Sequence, residues 1–295
     1  MSGCCEGRVV IVTGAGGGLG AAHARVFAAE GAKVVVNDIN AEAAQGTVDE
    51  IKSASGDAVV NTSDITNYDD SLNAVKQALD TFGDLHVVVN NAGICRDRMF
   101  ASMTEADWDA VIAVHLKGHF CITSHAVHYW RGESKAGKDV SGRIINTTSG
   151  AGLQGSIGQS NYAAAKAGIT ALTLNQAAEL DRYEITANAI APAARTSMTT
   201  QVAEFAERMA KPKDDSFDYF APENVSSIVV WLGSEQSSHV SGRVFEAEGG
   251  KLSIADGWRT GEWVDNDAYI EPRKAGDIVK KLFEIETPAQ KVYGT

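Results

Sequence analysis

The chain has 295 residues, 44% of them apolar and 22% charged, and its 26 basic against 38 acidic side chains leave a net charge of −12. That composition is globular and excludes disordered, collagen-like and coiled-coil readings, while the acidic balance excludes a phosphate-tracking nucleic-acid surface. No run reaches the roughly 18 apolar residues that span a bilayer, no apolar signal region follows Met1, and Cys4, Cys5, Cys95 and Cys121 suggest no disulfide framework. A cytoplasmic protein with reduced thiols, no membrane contact and no nucleic-acid partner is expected.

In chain order, short β-branched runs alternate with helix-like stretches, which predicts an α/β protein with a parallel sheet covered on both faces. Arg8–Thr13 reads as a buried strand, and Thr13-Gly14-Ala15-Gly16-Gly17-Gly18-Leu19-Gly20 leads into a helix over Leu19–Glu30. Glycines there let the backbone approach a pyrophosphate, whose charge meets free N–H groups at a helix N-terminus. Gly14, Gly18, Leu19 and Gly20 are the candidate contacts. A second strand, Lys33–Asn37, is closed by Asp38, 24 residues after Gly14. An acidic side chain about 20 residues on accepts hydrogen bonds from an adenosine ribose. No cation stands at Ala15, Gly17 or Asn37 to receive a 2′-phosphate, so NAD is expected rather than NADP. After a helix over Ala41–Ser53 and a strand over Ala58–Asn61 comes Asp64-Ile65. It suits an adenine edge, or Asp64 caps the next helix, Tyr68–Thr81. The fourth strand, His86–Asn90, runs into Asn91-Ala92-Gly93, a further ligand-side stretch or simply a turn.

One long helix is predicted over Glu105–Tyr129. Its His115, His119, His125 and His128 have no partnering Cys or carboxylate cluster, so no metal is expected. Trp130–Gly142, with Arg131, Lys135 and Lys138, reads as a solvated loop at the edge of the sheet away from any ligand. The fifth strand, Arg143–Thr148, delivers Ser149. The helix Asn161–Asp181 then carries Tyr162 and Lys166, four residues apart on one face. A free phenol has a pKa of about 10 and is a poor base. A cation about 5 Å away, at an effective dielectric of about 20, favours phenolate by roughly 3 kcal/mol. Tyr162 is then a proton acceptor for a substrate hydroxyl, with Ser149 steadying the oxygen.

A sixth strand, Ile185–Ile190, is expected to end at Pro192. Beyond it lies Thr196–Pro222, whose Met198, Phe205, Phe217, Tyr219 and Phe220 suit either a lid or the core. Helices over Thr199–Met209 and Glu223–Leu232 and a seventh strand over Arg243–Glu246 follow. From Ala255 a tail containing Trp258, Trp263, Tyr269 and Phe283 is expected to pack on the body or on a partner subunit. The division is therefore a catalytic domain at 1–254 and an extension at 255–295.

Over about Arg8–Gly250 the glycine loop, Asp38, Asp64-Ile65, Asn-Asn-Ala-Gly, Ser149, Tyr162 and Lys166 together resemble the short-chain dehydrogenase/reductase family. The thirteen-residue step from Ser149 to Tyr162 is also family-like. The resemblance implies a Rossmann-like, doubly wound, seven-stranded parallel sheet in three layers, in homodimers or homotetramers. It implies Tyr162 as acid and base, Lys166 on the nicotinamide ribose, Ser149 on the substrate, and Pro192 and Thr196 beside the nicotinamide. Two positions depart from the pattern. His115 stands in Val114-His115-Leu116-Lys117-Gly118 where the family commonly has the Asn of a water-linked proton relay, which an imidazole could replace. Ala193 follows Pro192 where Gly is usual.

Asn90–Phe100, Val114–Phe120 and Ser160–Lys166 are most similar to the dehydrogenase parts of peroxisomal multifunctional β-oxidation enzymes. That implies NAD-dependent oxidation of a bulky secondary alcohol, a (3R)-hydroxyacyl-CoA thioester or a 17β-hydroxysteroid. Arg96 and Arg98 then meet a CoA anion or form salt bridges. Reduction of a 3-oxoacyl thioester and a non-catalytic NAD-binding sensor are the competing expectations.

Overall fold

The structure, a computed structural model, describes residues 3–295 apart from 197, 202, 265–269, 271 and 289. Tyr269 and the Phe205 side chain, singled out above, lie outside the described residues, whereas Met198 lines the cleft described below. The elements in chain order are β1 (Val9–Thr13), α1 (Gly18–Ala29), β2 (Lys33–Asn37), α2 (Ala41–Ser53), β3 (Asp57–Asn61), α3 (Tyr68–Phe82) and β4 (Val87–Asn90). Next come α4 (Glu105–Ile112), α5 (Gly118–Lys135), β5 (Arg143–Thr147), α6 (Gly150–Gln154), α7 (Ser160–Leu180) and β6 (Thr186–Ala193). The chain ends with α8 (Ala203–Arg208), α9 (Pro222–Gly233), β7 (Val244–Glu248), β8 (Lys251–Ile254) and α10 (Pro272–Ile285).

The sheet order is β3-β2-β1-β4-β5-β6-β7-β8, parallel through β7. Successive side chains of a strand point to opposite faces, so a strand buried on both sides must be apolar throughout. Accordingly Val10, Val12, Val34, Val36, Val87 and Val89 pack against Phe27, Val48 and Val229 of α1, α2 and α9. Val9, Ile11, Val35 and Val88 pack the other way, against Val75, Ile122 and Ala177 of α3, α5 and α7. The strand order reverses between β1 and β4, which opens a crevice beyond their carboxyl ends, where such sheets bind ligands.

Four expectations about the elements need correction. The sheet has an eighth strand: Gly249, at φ +51, turns the chain so that Lys251–Ile254 pairs antiparallel with β7. All four β8 residues are exposed, so an apolar-run criterion does not register them. Pro192 does not end β6, which continues through Ala193. Pairing with β5 stops at Ile190, so Pro192 sits where β6 is bonded only to β7 and its missing N–H is tolerated. The helix expected over Glu105–Tyr129 is interrupted by a π turn at Ala113–Lys117. The region Thr199–Met209 is one 3-10 turn, Thr199–Gln201, followed by the short α8.

The first half of the polar insertion is helical, since α5 runs on to Lys135, and the rest is a turn and loop as expected; Lys138 pairs with Glu133 and Arg131 stacks on Tyr183. In the tail, Trp258 and Trp263 are 94% and 81% exposed and Phe283 is exposed too, so these aromatics do not pack on the body. The end of the tail does dock, through Tyr293 beside Ser156.

Candidate active site

Three loops leave the carboxyl ends of β1, β4 and β5 and meet at the crevice. Gly14 has φ +63, and a Cβ there would lie 2.7 Å from the Ala92 backbone. Gly20 has no room for a Cβ either, which would fall 2.2 Å from the Gly14 carbonyl oxygen. Only glycine lets the loop, the helix and the β4 turn approach so closely. Asn91 stitches the turn down by donating from Nδ2 to the carbonyls of Thr13, at 3.0 Å, and Gly14, at 3.2 Å. Gly17 precedes α1 with no side-chain cap among the described residues, which leaves the first N–H groups of the helix free for an anion. Asp38 Oδ2 accepts from the Gly16 N–H at 3.0 Å and Oδ1 from the Asn40 N–H at 2.9 Å. Its carboxylate is thereby fixed at the edge of the glycine loop.

These groups border a cleft of about 410 Å³ whose other end is lined by Ser149, Tyr162, Lys166 and His115. Gly18, Leu19, Ala92, Gly93, Pro192 and Thr196 also line it, so most of the expected cofactor contacts converge. Asp64 and Ile65 do not reach the wall. Asp64 turns back to accept from the Thr66 N–H and hydroxyl, both at 2.8 Å, and Ile65 is buried. Asp64 does not cap α3 either; Asn67 does, accepting from the Asp70 N–H.

Ser149 precedes α6 and Tyr162 stands in the first turn of α7, which brings the two hydroxyl groups together. Lys166, one turn on, is 2% exposed and donates from Nζ to the Thr147 carbonyl at 2.6 Å. Its ammonium lies 5.4 Å from the centroid of the Tyr162 ring. The electrostatics correct the expectation drawn from spacing. Burial pushes the Tyr162 phenol above its ordinary range, the neighbouring Cys95 adds to this, and the Ser149 hydroxyl opposes it. Burial likewise pushes Lys166 down to about 7. Desolvation therefore outweighs the Lys–Tyr attraction in the protein by itself.

The π turn carries His115 into the cleft, as the inserted residue of such turns often does at functional sites. Its Nε2 lies 2.7 Å from the Ile94 carbonyl and 3.0 Å from the Ile94 N–H, and its ring meets Tyr162 edge-on at 5.1 Å. Nδ1 is buried with no partner among the described residues, as is Thr147 Oγ1. Burial, then Lys166, pushes His115 down to about 3, so it stays neutral and cannot carry a proton as imidazolium near neutrality.

His119 is also buried, whereas His125 and His128 hold the backbone carbonyls of Tyr68 and Ser124. Arg98 pairs with Asp107 at 3.1 Å, while Arg96 donates to the Cys95 carbonyl. The segment after β6 is held at its base by Arg195 on Asp218, and Tyr219 donates to Glu248 at 3.0 Å. Phe217 is left exposed.

Residues 8–207 match the family model described as short chain dehydrogenase. The chain belongs to that family. It is 46% identical over 256 residues to the hydroxyacyl-CoA dehydrogenase ChsB1 of Mycobacterium tuberculosis, covering 84% of this chain and 80% of that one. It is 40% identical over 262 residues to the peroxisomal multifunctional enzyme type 2 of Mus musculus, covering 86% of this chain but only 32% of that much longer protein. A crystal structure of a short chain dehydrogenase from Mycobacterium avium superposes with a TM-score of 0.91 at 54% identity, covering 99% of this chain and 100% of its own. This short-chain dehydrogenase is thus an oxidoreductase acting on CH–OH groups, and the uncapped α1 terminus and glycine cradle fit the NAD(P) that the family binds. No described helix is long and apolar enough to cross a membrane.

Proposed function

We propose that the enzyme oxidises the secondary alcohol of a (3R)-hydroxyacyl-CoA thioester with NAD, and that Tyr162 is the base. The observation that carries this reading is the convergence of Ser149, Tyr162 and Lys166 with the glycine loop and Asp38 on one cleft. The name of the 46% identical relative supports the substrate class. A 17β-hydroxysteroid, a similarly bulky alcohol, is the second substrate to try. Asp38 supports NAD, because its carboxylate at the ribose end opposes the 2′-phosphate of NADP.

When bound, the nicotinamide supplies the hydride acceptor and, in its oxidised form, a positive charge near the phenol. Ser149 holds the substrate oxygen by a hydrogen bond as charge develops on it. Tyr162 Oη takes the hydroxyl proton, and Lys166 favours the phenolate by its nearby positive charge. His115 works as a neutral side chain: it fixes Ile94 in the β4 turn and offers Nδ1 as an acceptor behind Tyr162. The same groups, with Tyr162 returning the proton, serve reduction of a 3-oxoacyl thioester, so the ratio of oxidation to reduction rates with each cofactor distinguishes the two directions.

Hydroxyacyl-CoA and hydroxysteroid panels followed by NADH absorbance test the reading, with NADP in parallel. Turnover on hydroxyacyl-CoA that favours NAD supports it. Tight NADH binding with no turnover on any member replaces it with a nucleotide-binding sensor. We further propose a homodimer or homotetramer, supported by the exposed Trp258 and Trp263, and a catalytic unit at 1–254 with 255–295 as its extension. Light scattering on the intact chain and on a 1–254 version checks both. A cytoplasmic location fits the four free thiols, and cell fractionation tests it.

A further inference from the structure

The segment between Ser149 and α7 links the two hydroxyl groups of the site, and it is clamped on both sides. On one side Arg98 donates its N–H to the Gly158 carbonyl at 2.8 Å, and Gln159 Nε2 donates to Asp97 at 2.9 Å. On the other side lies a stretch from the far end of the chain. The Ile157 N–H donates to the Tyr293 carbonyl at 3.0 Å, and the Tyr293 N–H donates to the Gly155 carbonyl at 3.2 Å. A parallel bridge between Ser156 and Tyr293 results.

Glycines make this docking possible. A Cβ on Gly150 would lie 2.5 Å from the Tyr293 hydroxyl oxygen, and one on Gly155 would lie 3.4 Å from Val292 Cγ1. Gly294, at φ +91, lets the chain turn directly beside Ile157. Gly150 is the residue after Ser149, so the Tyr293 hydroxyl rests one residue from the group that holds the substrate oxygen.

The docked stretch also presents an apolar surface. Ile157, Val292 and Tyr293 are 47%, 40% and 48% exposed, with Ile157 and Tyr293 joined through their backbones. Burial and the carboxylates of Glu246 and Glu248 hold the Tyr293 phenol above its ordinary range, so it is uncharged at neutral pH. A neutral, half-exposed aromatic ring flanked by two branched aliphatic side chains suits an apolar chain and offers nothing to a charged one.

We infer that Ile157, Val292 and Tyr293 form the outer wall of the substrate site and that Tyr293 sets the preference for a long apolar acyl chain. This inference rests on the proposed hydroxyacyl-CoA activity. None of the three lines the cleft that the glycine loop borders, so the wall acts on substrate selection and leaves dinucleotide binding alone.

The test uses the full chain and three variants: Tyr293→Ala, deletion of residues 291–295, and Gly150→Ala, whose added methyl group displaces the tyrosine without removing it. The kcat/KM of each is measured for a four-carbon and a sixteen-carbon (3R)-hydroxyacyl-CoA at saturating NAD, alongside the Kd for NADH. The long-to-short ratio is expected to fall about tenfold, as the loss of a few methylene contacts implies. The short substrate and NADH are expected to stay within about twofold. An unchanged ratio in all three variants overturns the wall, as does an equal loss on both substrates with NADH affinity intact. If the wild-type enzyme oxidises neither thioester, the proposed function fails and this inference fails with it; if it oxidises them with a ratio the variants do not alter, the wall alone fails.

Discussion

The two edges of the sheet both bury polar groups, yet they use them in opposite ways. At the amino edge Arg8 Nη2 donates to the Ser141 carbonyl at 2.7 Å, and Arg143 donates to the carbonyls of Gly142 and Ser234 at 2.9 and 3.1 Å. Both guanidiniums are almost fully buried and tie loops to strands. At the carboxyl edge Lys166 makes one hydrogen bond, and His115 Nδ1 and Thr147 Oγ1 have no partner among the described residues. A buried polar group without a partner costs roughly 1–3 kcal/mol, so its persistence in a crevice signals a ligand that supplies the missing contacts. Neither buried charge nor an unmet hydrogen bond marks a site alone, since Arg8 Nε and Thr186 Oγ1 at the amino edge also lack partners among the described residues; position in the crevice at the carboxyl edge does.

Substitutions at each edge should therefore separate chemistry from stability. Tyr162→Phe removes the base and is expected to lower kcat about 1000-fold. Its NADH affinity and urea midpoint should stay near wild type, and a variant that retains turnover would break the assignment. Arg143→Met, at the other edge, is expected to cost about 3 kcal/mol of stability in urea unfolding while kcat per folded molecule stays unchanged. A loss of kcat with stability intact would mean that the amino edge takes part in the reaction.

Asp38→Ala should leave stability alone and lower the NAD-over-NADP ratio of kcat/KM about tenfold, a loss typical of one removed binding contact. No change in that ratio would remove Asp38 from cofactor choice. His115→Asn sharpens the comparison through pH. His115 is held near 3 in the folded chain, against about 6.5 unfolded, so between those values the unfolded state binds more protons. The stability it contributes is whole above about 6.5 and is lost as pH falls toward 3. Unfolding free energies from urea titrations at pH 7 to pH 5 should fall less steeply for His115→Asn, by about 1 kcal/mol per pH unit. Parallel slopes would show that His115 is not desolvated as described.

Much of this arrangement was legible from residue types. The valine runs of β1, β2 and β4 announce strands buried on both faces, and the predicted bounds of β2 and α2 agree with the structure. The glycine loop, Ser149, Tyr162 and Lys166 reach one cleft because each follows or ends an element whose direction the βα alternation dictates. The failures share a cause: they depend on contacts between distant segments. Spacing placed a cation beside Tyr162 but gave no measure of its burial, which reverses the expected shift of the phenol. The docking of Tyr293 on Gly155–Ile157 joins residues more than 130 apart and leaves no local pattern. His115 was conspicuous as a departure from the family's asparagine, whereas the turn that aims it was hidden in a continuous helical periodicity.

That turn constrains how the enzyme can vary. An α-helix advances about 100° per residue, and the π turn at Ala113–Lys117 absorbs one extra residue in that phase. Deleting one of its five positions would restore a regular helix and leave α5 in nearly its present phase, because the wide turn already takes up the extra residue. Cys121, Ile122 and Ala126 would stay buried, while the wide turn that carries His115 into the cleft would be lost. A chain shortened by one residue at this spot should therefore keep its core and lose only the cleft wall that His115 forms.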